Sequence, residues 1–216
     1  MKRNRDIKDA LYEQVSRIAK AAASPKRLEL IELLCQAPKT VEVLAREASI
    51  SMKLASAHLK ELKAARLVQG DRQGKNVIYR LASQEVANFW VTLHLLAEDR
   101  LFELQDAVRQ LTQSTHEWTA SNRKELLQKA RKGEVVVIDV RPASEYEVAH
   151  LPYAWSMPLS ELKARLKELP KDKLIVAYCR GPFCLMSTDA VALLRKKGFE
   201  ALQLRDGVAE WGLKVA

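Results

Sequence analysis

Aromatic side chains are scarce, at 6% of 216 residues. That supply argues against a surface built to stack exposed RNA bases. Cysteines number three, an odd count too small for the disulfide framework of a secreted domain. No apolar run approaches the roughly eighteen residues of a membrane span. The N-terminus, MKRNRDIKDALYEQVSRIAK, is charged and lacks a signal-peptide apolar stretch. These absences read as a cytoplasmic protein with no membrane partner. Disorder is not expected either, because 48% hydrophobic residues supply a core and 29% charged residues match globular chains. The length suits one large domain or two small ones.

The formal charge of +9 is spread over both halves of the chain. Locally it concentrates in residues 50–80, where Lys53, Lys60, Lys63, Arg66, Arg72, Lys75 and Arg80 face only Glu61 and Asp71. A compact basic stretch of this kind is either an electrostatic footprint for phosphate or a solvated face.

Residues 1–111 read as mainly helical. Ile7, Leu11, Val15, Ile18 and Ala22 recur at helical spacing over 7–23. Ser24-Pro25 opens a second helix, with proline where its missing N–H costs nothing, and Ala37-Pro38 stops it. Thr40 can cap a third helix over Val41–Glu47, Ser49 and Ser51 flank a break, and a fourth helix follows from Met52 to Ala65. Leu67–Gly70 and Val77–Leu81 are expected as strands of a hairpin whose turn is Asp71–Asn76. One long apolar helix is expected over 84–111. Residues 112–122 are polar and aperiodic, and the linker is placed there.

Residues 123–216 alternate helix and strand, as an α/β domain with a parallel sheet does. A helix over 123–132 precedes the strand Val135–Val140. A helix over 158–169 leads to the strand Leu174–Tyr178, and a helix over 187–197 precedes the strand Ala201–Leu204. The first two strands are continuous apolar runs, as strands buried on both faces are. Cys179 sits at a strand's carboxyl end, where such sheets place their sites.

Two helices joined by a tight break and followed by a basic hairpin make a winged helix-turn-helix. The second helix can enter the major groove of double-stranded DNA. Its outward residues are expected to be Met52, Lys53, Ser56, Ala57 and Lys60, with small Ala55, Ser56 and Ala57 allowing close approach. Arg72, Lys75 and Gln73 on the wing would reach phosphate or the minor groove, while Leu54, Leu59, Leu62 and Leu67 would face the core. A helical protein-binding domain is the rival reading of these residues.

The segments SPKRLELIELL, TVEVLAREASISMKLASAHLKELKAARLV and GDRQGKNVIYRLAS resemble the arsenic-repressor (ArsR) family of winged-helix regulators, over residues 10–110. The resemblance implies a homodimer pairing through residues 7–23 and 84–111 and a pseudo-palindromic operator. It also exposes departures. Thr40–Leu44 carries no thiol where metal-sensing members have cysteines, and the last helix offers only His94 with Glu98 one turn on. A tetrahedral zinc site needs about four ligands, so no metal is implied. Cys35, beside Leu33 and Leu34, reads as a buried structural thiol; a sensing role stays open, although no cysteine on the last helix could pair with it.

In the C-terminal half, backbone N–H groups and a helix N-terminus would favour a thiolate at Cys179, and Arg180 would add positive charge. The segments VVVIDVRPASEYEVAHLPYAWSMPL, IVAYCRGPFC and LRDGVAEW resemble a rhodanese domain, a sulfurtransferase module, over residues 121–216. The resemblance implies that Cys179 carries sulfur as a persulfide and that the N–H groups of Arg180, Gly181, Pro182–Phe183 and Cys184 surround an anionic donor; proline itself contributes none. Asp139 and Arg141 match its Asp-x-Arg motif and are read mainly as supports for the loop. His150 matches a Gly-His-Ile-Pro motif that has lost its glycines, and Gly207 and Trp211 are fold markers.

The loop departs from the family at its sixth position, which holds Cys184 in place of a basic or hydroxyl residue, and the stretch from Cys179 to Gly198 is longer than usual. The Cys-x4-Cys spacing suggests a resolving thiol, if the Cα atoms lie within the roughly 4.4–6.8 Å that disulfides need. Leu185 stands where a Cys-x5-Arg phosphatase or arsenate reductase needs arginine, which argues against that chemistry.

The two halves read together as a DNA-binding repressor joined to a domain that handles or senses reactive sulfur through Cys179. The small-molecule partner is then thiosulfate, a persulfide or a polysulfide, and no cofactor is implied. Two alternatives stand beside this reading. One is a sulfurtransferase enzyme with catalytic Cys179, Arg180 and Cys184, whose winged domain only dimerises or targets it. The other is a redox sensor using a Cys179–Cys184 disulfide without turnover.

Overall fold

The structure is a computed structural model and describes residues 2–112, 117–118 and 123–212. It divides into two compact units, 1–90 and 91–215.

In the first unit, α1 (Lys2–Ala22) and α2 (Pro25–Leu34) meet at Ser24, the N-cap of α2, with Pro25 at the first helical position. Strand β1 (Lys39–Thr40) leads into α3 (Val41–Glu47), whose first turn is capped by Thr40 Oγ1 accepting from the Val43 N–H at 3.3 Å. Ser49 adopts φ +52°, a left-handed conformation that closes the turn after α3. Ser51 Oγ then caps α4 (Met52–Ala64) through the Leu54 N–H at 3.2 Å. Leu30, Ile31, Leu33, Leu34, Leu44, Leu59 and Leu62 form the core. Cys35, fully buried, lies with them.

The hairpin is longer than its sequence suggests. Strands β2 (Val68–Gln73) and β3 (Asn76–Leu81) pair through Gln73↔Asn76, so most of the expected turn is strand. Only Gly74 and Lys75 turn, and Gly74 takes the positive φ of +60° such a tight connection requires. β1 adds to β3 as a third strand through Lys39↔Tyr79 and Thr40↔Ile78.

Helix α5 (Gln84–Arg100) crosses the division at 90–91, whereas the sequence placed the boundary at 112–122. The single helix expected over 84–111 is two, because α5 stops before Leu101 and α6 (Phe102–Thr112) begins after it. The break is held by Gln105, whose side-chain amide donates to the Glu98 carbonyl at 2.8 Å and the Asp99 carbonyl at 3.4 Å. Those carbonyls are among the ones a helix C-terminus leaves without intrahelical partners.

The second unit is built on a five-stranded parallel sheet in the order β4-β8-β7-β5-β6. Its strands are β4 (Glu117–Trp118), β5 (Val135–Asp139), β6 (Trp155–Ser156), β7 (Leu174–Tyr178) and β8 (Ala201–Leu204). The sequence reading missed β4 and β6, and it placed β4 in the linker; the rest of the linker, apart from Thr112, lies outside the described residues. The helices are α7 (Arg123–Arg131), α8 (Ala143–Val148), α9 (Leu159–Arg165) and α10 (Met186–Lys196), with a 3-10 turn over Leu166–Glu168.

Strand alternation explains why both faces are buried. Val136, Ile138, Ile175, Ala177 and Cys179 pack on one side with Leu162, Ala190, Val191 and Leu194 of α9 and α10. Val135, Val137, Val176 and Tyr178 pack on the other with Leu126 of α7 and Leu151. Cys179 therefore points toward α10, and its neighbour Tyr178 toward the opposite side.

Candidate functional site

The exposed face of α4 carries Met52, Lys53, Ser56, Ala57 and Lys60, all solvent-accessible, as the helical spacing predicts. Two neighbouring expectations are reversed. Ala55 is fully buried and cannot meet a duplex, while Leu54, expected in the core, is 42% exposed. Helical phase accounts for both, since Ala55, Leu59 and Leu62 share one stripe and Leu54 lies about 100° from it. On the wing, Arg72, Gln73 and Lys75 are exposed. Arg80 is less available than its charge suggests, because its guanidinium pairs with Asp71 at 3.2 Å.

Apolar residues expected to pair two chains are exposed on each unit taken alone. On α1 these are Ile7, Leu11, Tyr12 and Val15. In the second unit they are Leu95, Leu96, Leu101 and Phe102, with Leu111 at the margin. Other residues of the last helices turn inward, including Val86, Trp90 and Val108. His94 is buried as well. Its Nε2 lies 3.2 Å from Glu210 Oε1, and its ring meets Phe183 edge-on with centroids 5.6 Å apart. Glu98 forms an ion pair with Arg205. Both contacts lie within the second unit and tie the later turns of α5 to the segment after β8. They give the physical reason why the division falls at 90–91.

The thiol site is assembled at the carboxyl end of β7. Cys179, Gly181 and Pro182 are buried, while Phe183 and Cys184 are half-buried. Gly207 closes against this loop from below. A β-carbon there would stand 2.5 Å from the Arg180 backbone and 2.8 Å from the Cys179 carbonyl oxygen, so only glycine fits. Glu210 holds this approach by accepting the Gly207 N–H at 2.8 Å.

Both cysteines are reduced, and Cys179 Sγ donates to the Cys184 carbonyl oxygen at 3.4 Å. Burial pushes the Cys179 thiol well up, against the expectation that it would ionise readily. Cys184 is brought down to about 7, chiefly by the hydrogen bond from Cys179, with the N–H groups of Arg180 and Met186 adding to it. The N–H groups expected to surround an external anion are therefore partly engaged already. The Cys184 N–H itself donates to the Gly181 carbonyl at 3.2 Å. Near neutral pH the first thiolate of the pair sits on Cys184.

Arg180 does not stand free beside Cys179. Its guanidinium is paired with the fully buried carboxylate of Glu145 on α8, at 2.5 and 3.1 Å. Its charge is largely neutralised there. Sequence reasoning missed Glu145, whose only signal was an acidic residue shortly after the Asp139-x-Arg141 pair.

Asp139 and Arg141 form a wholly buried clamp. Arg141 contacts both carboxylate oxygens of Asp139, at 2.5–3.1 Å, and donates to the Ala149 carbonyl at 2.7 Å. Tyr178 donates to Asp139 Oδ2 at 2.6 Å and accepts from the Leu151 N–H at 3.0 Å, and burial together with the Asp139 charge pushes its phenol up. The clamp thus fixes the residue before Cys179 to the segment 149–151. His150 donates from Nδ1 to the Tyr146 carbonyl, 2.8 Å away, and stacks on the Tyr146 ring with centroids 3.9 Å apart, although it is exposed.

Sequence reasoning also missed Ser187, Thr188 and Gln203. Ser187 Oγ lies 3.1 Å from Cys179 Sγ. Gln203 Nε2 donates to Ser187 Oγ at 3.0 Å, and Thr188 Oγ1 donates to Gln203 Oε1 at 3.2 Å.

Comparison with known proteins matches two separate parts of the chain to two families. The family model described as rhodanese-like domain matches residues 122–214, and that described as bacterial regulatory protein, arsR family, matches residues 24–69. The HTH-type transcriptional regulator Rv0324 of Mycobacterium tuberculosis is 40% identical over 208 residues, covering 96% of this chain and 91% of its own. A sulfurtransferase of Allochromatium vinosum is 33% identical over 79 residues, covering 36% of this chain and 72% of its own. Among solved structures, the homodimeric winged helix-turn-helix DNA-binding domain Mb0332 of Mycobacterium bovis is 35% identical. It covers 44% of this chain and 89% of its own, with a TM-score of 0.42.

Proposed function

The chain belongs to the arsR family of bacterial regulatory proteins and carries a C-terminal rhodanese-like domain, and from that premise we propose that it is a repressor that reads reactive sulfur through Cys179. The α4 face of Met52, Lys53, Ser56, Ala57 and Lys60 enters the major groove, and Arg72 and Lys75 of the wing hold phosphate. Two chains pair through residues 7–23 and 84–111, where α1 and the last helices present their apolar side chains, and the pair reads a pseudo-palindromic operator.

The observation that carries the sulfur reading is the placement of two reduced cysteines in the loop after β7, a buried Cys179 whose Sγ reaches the carbonyl oxygen of the half-buried Cys184 at 3.4 Å. Cys179 gives its proton to the neighbouring Cys184 thiolate and attacks a terminal sulfur of a polysulfide, forming a persulfide and displacing the shortened polysulfide, and Cys184 then loses that proton to solvent. The Cys184 thiolate then attacks the inner sulfur of that persulfide. A Cys179–Cys184 disulfide forms and hydrosulfide leaves. A Cys184 lowered to about 7 suits the attacking role in this second step.

Mass spectrometry of the whole chain after polysulfide treatment tests the reading. A gain of one sulfur on Cys184→Ser, and a loss of two hydrogens with hydrosulfide release on the unaltered chain, is the expected pair of results. No mass change on either would overturn it. The same placement of the two cysteines favours a second reading, oxidation to the disulfide by a peroxide, which takes up the two thiol hydrogens and leaves as water, without sulfur transfer. That reading is distinguished by disulfide formation with no sulfur adduct on Cys184→Ser.

A further inference from the structure

Ser187 occupies the first turn of α10, and its side chain is wholly buried. Its hydroxyl can donate one hydrogen and accept others. Gln203 Nε2 can only donate, and it donates to Ser187 Oγ. The Gln203 amide is held in that orientation because Thr188 Oγ1 donates to its Oε1. Accepting from Gln203 leaves the Ser187 hydroxyl hydrogen available for Cys179 Sγ, 3.1 Å away, a contact in which either atom can donate. The Cys179 S–H has an acceptor elsewhere, the Cys184 carbonyl oxygen at 3.4 Å.

We propose that Ser187 is a catalytic residue whose hydroxyl donates to Cys179 Sγ and holds the negative charge of that sulfur, with Gln203 and Thr188 as positioning residues that fix the direction of the bond. Apolar surroundings disfavour the charged form of a buried sulfur. The chain Thr188 to Gln203 to Ser187 to Cys179 joins α10 and β8 to the reacting atom. It lessens the effect of the burial that the sheet imposes at this position, which still leaves the Cys179 thiol well above its ordinary range. The proposal rests on Cys179 being the sulfur-accepting thiol of the function proposed above.

The test is the pH dependence of Cys179 alkylation by iodoacetamide in the full chain. Trypsin cleavage after Lys173 and Arg180 leaves Cys179 on a peptide of its own, apart from Cys184. Ser187→Ala is expected to move the Cys179 midpoint up by about one pH unit, a roughly tenfold slower reaction near neutrality. Gln203→Leu keeps the hydroxyl but removes the group that directs it, and its midpoint moves the same way by less. This second variant also covers the case in which Ser187→Ala fails to fold. Unchanged midpoints in the folded variants would overturn the proposal, even if their melting temperatures fell, since a packing role alone moves only the latter. Alkylation needs no sulfur donor. If the midpoint moves but the unaltered chain takes no sulfur from polysulfide, the hydrogen-bond chain stands and the sulfur reading falls.

Discussion

Cys179 and Cys184 lie five positions apart in the chain, yet their surroundings push their thiols in opposite directions. Cys179 belongs to the core on the α10 side of the sheet, and burial keeps its proton on. Cys184 lies nearer the surface, where Cys179 and two N–H groups support its thiolate. Alkylation of Cys184 should therefore accelerate as pH rises through about 7. Cys179→Ala removes the largest support for that thiolate, and the acceleration should move to higher pH. An unmoved profile on the Cys184 peptide would show that Cys179 does not set it.

The Asp139–Arg141 clamp makes a second statement at this scale. Both side chains are fully buried, and Arg141 depends on Asp139 for its charge balance. Asp139→Ala would leave a buried guanidinium without its carboxylate, a loss of about 3–5 kcal/mol. Denaturant unfolding of the variant would measure it, and a change under about 1 kcal/mol would contradict the clamp's role.

Among the elements, those set by local chemistry were legible in the sequence. Thr40 caps the helix it was expected to cap, and Ser51, expected only to flank a break, caps the next, because a cap needs only a side chain and an N–H three residues on. Elements and contacts set by distant partners were not legible. β1 is two residues long, has no periodicity of its own, and exists through pairing with Tyr79 and Ile78. Arg180 looked free because its partner Glu145 is 35 residues away, and Ser187 looked unremarkable without Gln203 beside it. The Leu54 and Ala55 reversal is a phase error of one position, which a helix turns into about 100° of rotation.

The break in the last helix is open to test at the same scale. Gln105→Ala would leave the Glu98 and Asp99 carbonyls without their side-chain donor and should cost about 0.5–1.5 kcal/mol, read by thermal unfolding. The face of α4 yields a further expectation. Lys53→Ala and Lys60→Ala should each weaken duplex binding across sequences and flatten its salt dependence by about one unit of log–log slope. A variant that changed sequence preference without changing the slope would show base contact in place of phosphate contact.

For the whole molecule, the two compact units meet in sequence inside α5, and none of the described helices is long and apolar enough to cross a membrane. His94 and Glu98, on the later turns of that helix, bond to Glu210 and Arg205 beside the thiol loop. Both bonds lie within the second unit and fasten the later turns of α5 to the segment after β8. To switch binding, sulfur loading must favour one state of the protein over another by only a few kcal/mol.

The most direct test of that account is selection of duplexes from a random library by the reduced protein, with affinity for the winning site then measured before and after polysulfide treatment. The account predicts a pseudo-palindromic site whose affinity changes on treatment, with no change in Cys179→Ser. A selected site whose affinity is the same in every case would contradict it.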